Sequence, residues 1–212
     1  MELVTSNPCE RLERPQPKQA TARGLSAEQV KRLLAAIPET PVGLRDRAII
    51  LTLVLTGRRR TEVLSMKAGD IQLDGEALVY SYRGKGGKAG TRELPRPAFN
   101  AIAAWLSSTG QELPAMAPHE SLWPNTHGGR GITSGLFYSN LRSYLVAAGL
   151  PPSGVHVLRH AAAKLRRDAG QSVEEVSRFL DHSNLAVTST YLRRIEVTED
   201  ASWAHIAHAI GV

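Results

Sequence analysis

The chain has 212 residues, of which 42% are hydrophobic and 22% charged, and its 26 Lys and Arg exceed its 20 Asp and Glu, for a net charge of +6. This length and composition predict one folded domain, and the basic excess favours a polyanionic partner, although a solvated basic surface would give the same balance. The single cysteine, Cys9, excludes an internal disulfide bond, and the longest apolar run, residues 48–55, is too short to cross a bilayer. Because the first residues also lack the form of a signal peptide, we expect a cytoplasmic protein.

The first 24 residues differ in composition from the rest of the chain. They are polar and basic and contain Pro8, Pro15 and Pro17. Such a composition is typical of a linker, so the folded part is predicted to begin near residue 25.

Three helices are predicted next. The first begins after Ser26, which precedes Gln29 by three residues in the pattern of a capping box, and Pro38 ends it. An apolar helix follows over residues 44–55. Gly57 then predicts the turn before a third helix that begins near residue 60.

The next segment favours a small antiparallel sheet. Strand patterns cover residues 71–73, 78–80 and 91–94, and an Asp74-Gly75 turn joins the first two. Residues 83–90 form a glycine-rich turn whose lysines can reach a phosphate. Taken alone, this turn would be interpreted as a flexible, solvated hairpin.

The rest of the chain is predicted to be helical, with helices at residues 97–108 and 133–148, one that begins near His156, one opened by a capping box at Ser172 and ending near Asp181, a short one around Tyr191, and one at residues 202–210. The predicted fold class is therefore α+β, mostly α-helical, with a small antiparallel β-sheet.

Near the carboxyl end, three imidazoles, a guanidinium and a phenol lie within 36 residues, at His156, Arg159, His160, His182 and Tyr191. The first three fall at i, i+3 and i+4, so one helix face presents them together. A phosphodiester in transfer needs fixed positive charge on its non-bridging oxygens, a proton donor for the leaving oxygen and a nucleophile. Arginine, histidine and tyrosine supply these functions.

The order and spacing of these residues resemble those of the tyrosine recombinases, the phage integrase family. That family carries an HxxR(H) motif, then a Gly-His or similar pair, then a tyrosine nine residues after that histidine, and His182 and Tyr191 keep this step. Residues 55–64 resemble its first box, TGLRxSEL, and residues 84–95 resemble the GKGxKxRxxP hairpin. The resemblance runs from about residue 25 to about residue 194.

This resemblance implies the fold of the tyrosine recombinase catalytic domain, that of DNA breaking-rejoining enzymes, over residues 25–200. Residues 1–24 would be a linker or the remnant of an N-terminal core-binding domain that is missing from the sequence. Residues 201–212 would form a C-terminal segment that passes between protomers.

The resemblance also assigns catalytic roles to basic residues. Arg59, expected at a helix entrance where unpaired N–H groups favour an anion, and Arg159 would clamp the scissile phosphate. Lys85 would protonate the departing 5′ oxygen, with Lys88 as a competing candidate.

The remaining roles fall to histidines and the tyrosine. His156 would hydrogen-bond the phosphate or take the tyrosine proton, His182 would hold a second non-bridging oxygen, and Tyr191 would attack phosphorus. His160 would play a supporting role by hydrogen-bonding within the core, and Glu62 would orient a basic group or cap the helix. The other tyrosines are interpreted as packing residues: Tyr80, Tyr82, Tyr138 and Tyr144.

The chain departs from the family pattern at two positions. Arg58 stands where an apolar residue precedes the catalytic arginine, so the assignment of Arg59 rests on the neighbouring Thr56, Gly57 and Glu62. Asp181 stands where a glycine precedes the histidine. Its carboxylate would slow catalysis or point away from the phosphate.

The implied activity is that of a site-specific DNA recombinase or integrase, which cleaves and exchanges strands through a 3′-phosphotyrosyl intermediate and needs neither ATP nor a metal. The implied partners are double-stranded DNA and three further protomers on it, with a monomer in free solution. The protein would be prokaryotic or phage-encoded and associated with the nucleoid.

Three alternatives remain open at this stage. A non-catalytic DNA-binding relative would retain DNA without forming covalent adducts. A type IB topoisomerase would relax supercoils, and a metal hydrolase using His156, His160 and His182 would lose activity to a chelator. The last of these leaves Tyr191 and the arginines without a role.

Overall fold

The computed structural model describes residues 24–83, 89–125, 131–181 and 202–212. Its helices and strands are α1 (Ala27–Ala35), α2 (Pro41–Thr56), α3 (Arg60–Leu64), β1 (Ile71–Asp74), β2 (Ala77–Arg83), β3 (Ala89–Glu93), α4 (Arg96–Ser108), α5 (Ser134–Ala147), α6 (His156–Asp168), α7 (Val173–Phe179) and α8 (Ser202–Ile210). The predicted fold class, mostly helical with a small antiparallel sheet, is confirmed. In the described part of the chain, every helix is too short or too polar to cross a membrane.

Side-chain caps fix where the first two helices begin. The Ser26 hydroxyl accepts a hydrogen bond from the Gln29 backbone N–H, and the Gln29 side-chain oxygen accepts one from the Ser26 backbone N–H. The predicted capping box is therefore confirmed. Helix α2 begins three residues earlier than predicted. Its first turn is capped by the Thr40 hydroxyl, and Pro41 at the first position lacks an N–H that the helix would have left unpaired.

Helix α2 is the centre of the fold. Residues on all sides of the helix are buried, and α4 and α6 make the most extensive helix contacts to it. A helix that is hydrophobic all round is stable only when it is enclosed. The carboxyl end of α2 is thereby held rigidly, and the chain leaves it at Gly57.

The three strands form one antiparallel sheet in the order β1-β2-β3. Tyr80 of β2 pairs with Ile71 on one side and with Arg92 on the other. Side chains two residues apart on a strand share a face, so Tyr82 and Arg92 project on the same side as Tyr80. The third strand begins at Ala89, two residues earlier than predicted.

Helix α8 packs against the body of its own chain. Ile206, Ala207 and Ile210 are buried, mainly against α1, and the Trp203 indole donates to a Glu93 carboxylate oxygen at 2.9 Å. Its bounds match the predicted ones. The exchange of this segment between protomers stays a prediction.

Candidate active site

The site begins at Gly57, where the chain turns out of α2. Gly57 has a φ of 62°, and a Cβ atom there would lie 2.3 Å from the Cε1 atom of Phe179 at the end of α7. Glycine is the residue that adopts this backbone conformation without strain, and it also leaves room for the aromatic ring. The turn after α2 therefore packs directly against the end of α7.

Arg59 is the N-cap residue of α3 and is oriented by Glu62. One Glu62 carboxylate oxygen accepts from the Arg59 backbone N–H at 2.9 Å, and the other accepts from its guanidinium at 2.8 Å. Glu62 is almost fully buried, whereas the Arg59 side chain is 31% exposed. Glu62 thus performs both of the roles that the sequence left open.

Arg159 reaches the same turn from α6. Its guanidinium donates to the Gly57 carbonyl at 2.6 Å and to the Leu180 carbonyl. Burial, followed by the charges of Arg59 and Arg58, lowers the pKa of Arg159 to about 10. The guanidinium groups of Arg58 and Arg59 therefore lie close enough to repel that of Arg159. A bound anion would reduce this repulsion.

A cavity of about 150 Å³ borders this cluster of arginines. Its lining includes Arg159 and His156 from α6, Arg58 and Arg60 from the turn and α3, and Tyr138 from α5. Donors from three helices converge on one space. The wall also contains the apolar Leu53 and Val155, and its basic side chains are of the kind that bind phosphate.

The two departures from the family pattern meet each other. Arg58 is 1% exposed, its guanidinium donates to the Asp181 carboxylate and to the Phe179 carbonyl, and its charged carbon lies 4.5 Å from the centre of the Tyr82 ring. The Tyr82 hydroxyl donates to Asp181 at 2.8 Å, and Arg92 donates to it at 3.0 Å. Burial raises the pKa of Asp181, but its partners, led by Arg58, outweigh burial and hold that pKa below the ordinary range.

The model of the phage integrase family matches residues 23–196, most of the chain. The chain belongs to the phage integrase family. This confirms the resemblance inferred from the boxes in the sequence.

Among curated relatives, this integrase-family chain is 31% identical to tyrosine recombinase XerA of Thermococcus kodakarensis over 184 residues, covering 87% of the chain and 62% of that protein. It is 28% identical to tyrosine recombinase XerC of Herpetosiphon aurantiacus over 193 residues, covering 89% and 61%. The chain thus spans about three fifths of the length of these relatives.

Among solved structures, the fold is similar to that of the XerH site-specific recombinase bound to difH substrate. The TM-score is 0.63 and the sequence identity 26%, with 77% of this chain and 48% of that chain covered. This likeness confirms that the fold is that of the family's catalytic domain.

The structure corrects two expectations about the integrase-family site. His160 does not lie within the core, since its side chain is exposed on α6. Tyr138 is not a packing residue either, since it is 38% exposed and borders the cavity. Helix geometry explains the exposure of Tyr138, because this residue is next to the fully buried Phe137 and so points outward.

The sequence analysis also missed the partners of Asp181. Tyr82 was assigned to strand packing, and Arg92 was given no role. The signal available was the pairing register, since an arginine directly opposite Tyr80 shares its face with Tyr82. That register becomes certain only once the sheet is formed.

Some predicted site residues lie outside the described residues: Lys85, His182 and Tyr191, together with the competing Lys88. The structure brings Arg59, Arg159 and His156 to one place, with His156 exposed at the first position of α6. The last described residue before His182 is Asp181, which lies beside the cluster.

Proposed function

We propose that this chain carries the catalytic site of a site-specific DNA recombinase that cleaves and exchanges strands through a covalent 3′-phosphotyrosyl link. The observation that carries the proposal is that Arg159 and His156 line one cavity, while Arg59 lies close enough for its charge to act on Arg159. The cavity opens in a scaffold of the phage integrase family, whose relatives are named recombinases.

The two arginines would serve as a clamp for the scissile phosphate. Glu62 orients Arg59, and the carbonyls of Gly57 and Leu180 orient Arg159, so neither guanidinium has to be reorganised when DNA binds. Each guanidinium has five N–H donors, and those not bonded to the protein are free to meet phosphate oxygens. Such preoriented charge stabilises the extra negative charge that develops during attack on phosphorus.

The reaction would begin when the Tyr191 phenol oxygen attacks the phosphorus atom and the bond from phosphorus to the 5′ oxygen breaks. Lys85 would give a proton to the departing 5′ oxygen, His156 would take the phenol proton, and His182 would hold a non-bridging oxygen. A 5′ hydroxyl from a partner strand then attacks the phosphotyrosine and restores both the DNA backbone and the free phenol. One phosphodiester is exchanged for another, so the step requires no external energy source.

Double-stranded DNA is the partner that this chemistry requires, and the similar XerH site-specific recombinase was solved bound to its difH substrate. The net charge of +6 supports binding to phosphates, and such binding should weaken steeply as salt is raised. We further propose that four protomers act on two duplexes in the cytoplasm and that α8 is the segment they exchange.

Covalent trapping tests the proposed function. The full chain would be incubated with a library of nicked duplexes, denatured in detergent and examined for protein-linked DNA, whose attached strand is then sequenced. Because the nick lets the short 5′ product diffuse away, the adduct accumulates. Three tyrosine variants accompany the wild type: Tyr191→Phe, Tyr138→Phe and Tyr144→Phe.

We expect adducts with the wild type and with Tyr144→Phe, and none with Tyr191→Phe. If Tyr138→Phe formed no adduct while Tyr191→Phe still did, the nucleophile would be Tyr138 in α5, which would contradict the assignment of Tyr191. Salt-sensitive DNA retention without any adduct would replace the proposal with a non-catalytic DNA-binding function.

A further inference from the structure

We propose that Asp181 is a positioning residue for strand cleavage, which sets the direction in which the chain enters His182. It would do so by joining three segments that carry catalytic groups. This inference rests on the proposed function and names a residue that the family pattern does not supply.

The Asp181 carboxylate meets all three segments at once. Its first partner, Arg58, adjoins the clamp residue Arg59. Its other partners, Tyr82 and Arg92, lie in β2 and β3, the two strands on either side of residues 84–88. Those five residues include the predicted catalytic lysine. One carboxylate therefore links the arginine turn, the base of the lysine hairpin and the residue that precedes His182.

Two arginines also fix the end of α7. The Phe179 carbonyl accepts from Arg58, and the next carbonyl, that of Leu180, accepts from Arg159. The last carbonyls of a helix have no partner within it and carry partial negative charge, so cations are favourable there. The end of α7 is held through two successive carbonyls and then through the Asp181 side chain.

The backbone at Asp181 indicates that its side chain is what secures this geometry. Asp181 has a φ of 51°, in the left-handed region, which aspartate and asparagine enter more readily than other residues except glycine but still with some strain. A glycine at this position would adopt the same conformation freely. The aspartate adopts it with its carboxylate bonded to three side chains, which offset the strain.

Arg58 and Asp181 depend on each other. A guanidinium that is 1% exposed requires a partner of opposite charge, and in the described part of the chain the carboxylate that pairs with Arg58 is Asp181. An apolar residue and a glycine at these two positions would also be mutually compatible. Replacing one member alone should therefore harm the site more than replacing both.

The first test compares Asp181→Asn with Asp168→Asn. Asparagine keeps the shape and tolerates the left-handed conformation but lacks the charge, and Asp168 lies in an exposed pair with Lys164. We expect Asp181→Asn to slow single-turnover adduct formation at saturating DNA by about tenfold or more, with the Kd for DNA within about threefold of wild type. Asp168→Asn should stay within about twofold in both.

The second test asks whether the effect passes through His182. In a His182→Ala background the imidazole that Asp181 is proposed to position is absent. Adding Asp181→Asn should therefore slow cleavage by no more than about twofold further. A role confined to stability would instead lower the folded fraction equally in both backgrounds. An equal rate loss in both backgrounds, or a loss in DNA affinity rather than in rate, would overturn the proposal.

The third test uses the pair Arg58→Leu and Asp181→Gly. Asp181→Gly alone should slow cleavage and reduce resistance to urea, because Arg58 then lacks its counter-charge, and the double variant should recover most of both losses. If the wild type forms no adduct, the proposed function fails, but the urea measurement still tests the link. If the stability losses of Arg58→Leu and Asp181→Gly in urea simply add in the double variant, the inference is wrong. Recovery of stability in the double variant would support it.

Discussion

Within the described residues, two arginine–aspartate pairs in which the arginine is buried lie in different places. In the core, Arg45 and Asp46 are neighbours on α2, are 1% and 0% exposed, and bond at 3.0 Å. At the site, Arg58 reaches Asp181 across 123 positions of sequence, and the Asp181 side chain is 32% exposed.

The partners of the two carboxylates explain the difference in their roles. Asp46 accepts from the Asn140 amide at 2.7 Å and from the Tyr144 hydroxyl at 3.0 Å, so it fastens α5 to α2. Asp181 instead fastens the turn of the first box to the sheet and to the end of α7. A buried ion pair is therefore not itself a sign of function. What distinguishes the second pair is its place beside Arg59 and Arg159, the arginines proposed to bind the scissile phosphate.

Asp46→Asn should have the largest effect on stability, and it tests whether the core pair stabilises the fold without affecting catalysis. Removing one partner of an enclosed pair leaves Arg45 charged without compensation, which costs about 3–5 kcal/mol in free energy of unfolding. Urea unfolding would measure the loss. Among folded molecules, the rate of strand cleavage should stay near that of wild type, and a selective fall in that rate would contradict the division of roles.

Gly57→Ala should have the next largest effect. The left-handed backbone costs about 1–2 kcal/mol for alanine, and overlap of the new methyl group with Phe179 adds about 1–3 kcal/mol. We expect a loss of about 2–5 kcal/mol in thermal or urea unfolding, together with slower cleavage, because α7 must move. Gly75→Ala, at a φ of 60° with open space around it, is the matched control and should show the backbone cost alone.

Tyr144→Phe tests the core pair more gently. The Tyr144 hydroxyl donates to Asp46, and burial, followed by the Asp46 charge, raises the pKa of that hydroxyl. Loss of one hydrogen bond to a charged group should cost about 1.5 kcal/mol, since Asn140 still donates to Asp46. A change below about 0.5 kcal/mol in urea would show that Asn140 and Arg45 suffice.

The smallest expected effect is a dependence on pH at Asp181. Because the fold holds the pKa of Asp181 below its ordinary value of 3.8, the carboxylate adds stability above that value and loses it as the pH falls through the lower, folded-state pKa. The difference in unfolding free energy between wild type and Asp181→Asn should be constant near neutrality and shrink below pH 3.8. A gap unchanged down to about pH 2 would show that the charge of Asp181 contributes nothing.

The parts of the fold that local sequence determines were predicted well. The capping boxes at Ser26 and Ser172 each involve residues three apart, so the sequence contains the whole interaction. The bounds of α8 and the entrance of α3 at Arg59 were predicted for the same reason. The predicted start of α2 was wrong because Pro41 and Gly43 in its first turn are residues that usually interrupt a helix, although proline is favoured at the first helical position.

What the sequence did not reveal depends on long-range contact. The bond between Arg58 and Asp181 requires α7 to return beside the end of α2, and no spacing rule encodes that distance. The expectation that Asp181 would either slow catalysis or point away omitted the partners it has. The exposure of Tyr138 likewise depends on which face of α5 the core covers.

The measurement that tests the central claim most directly compares two substrates with wild type and Arg159→Ala. One carries an ordinary scissile phosphate, and the other a methylphosphonate, in which a neutral methyl group replaces one charged non-bridging oxygen. If Arg159 acts as a phosphate clamp, the variant should cleave the phosphate at least about 100-fold more slowly than wild type but cleave the methylphosphonate at a rate within about tenfold. Because the ratio of the two cleavage rates is taken within each protein, a lower folded fraction of the variant does not affect that ratio. An equal deficit on both substrates would contradict the clamp and leave Arg159 with only its contacts to Gly57 and Leu180.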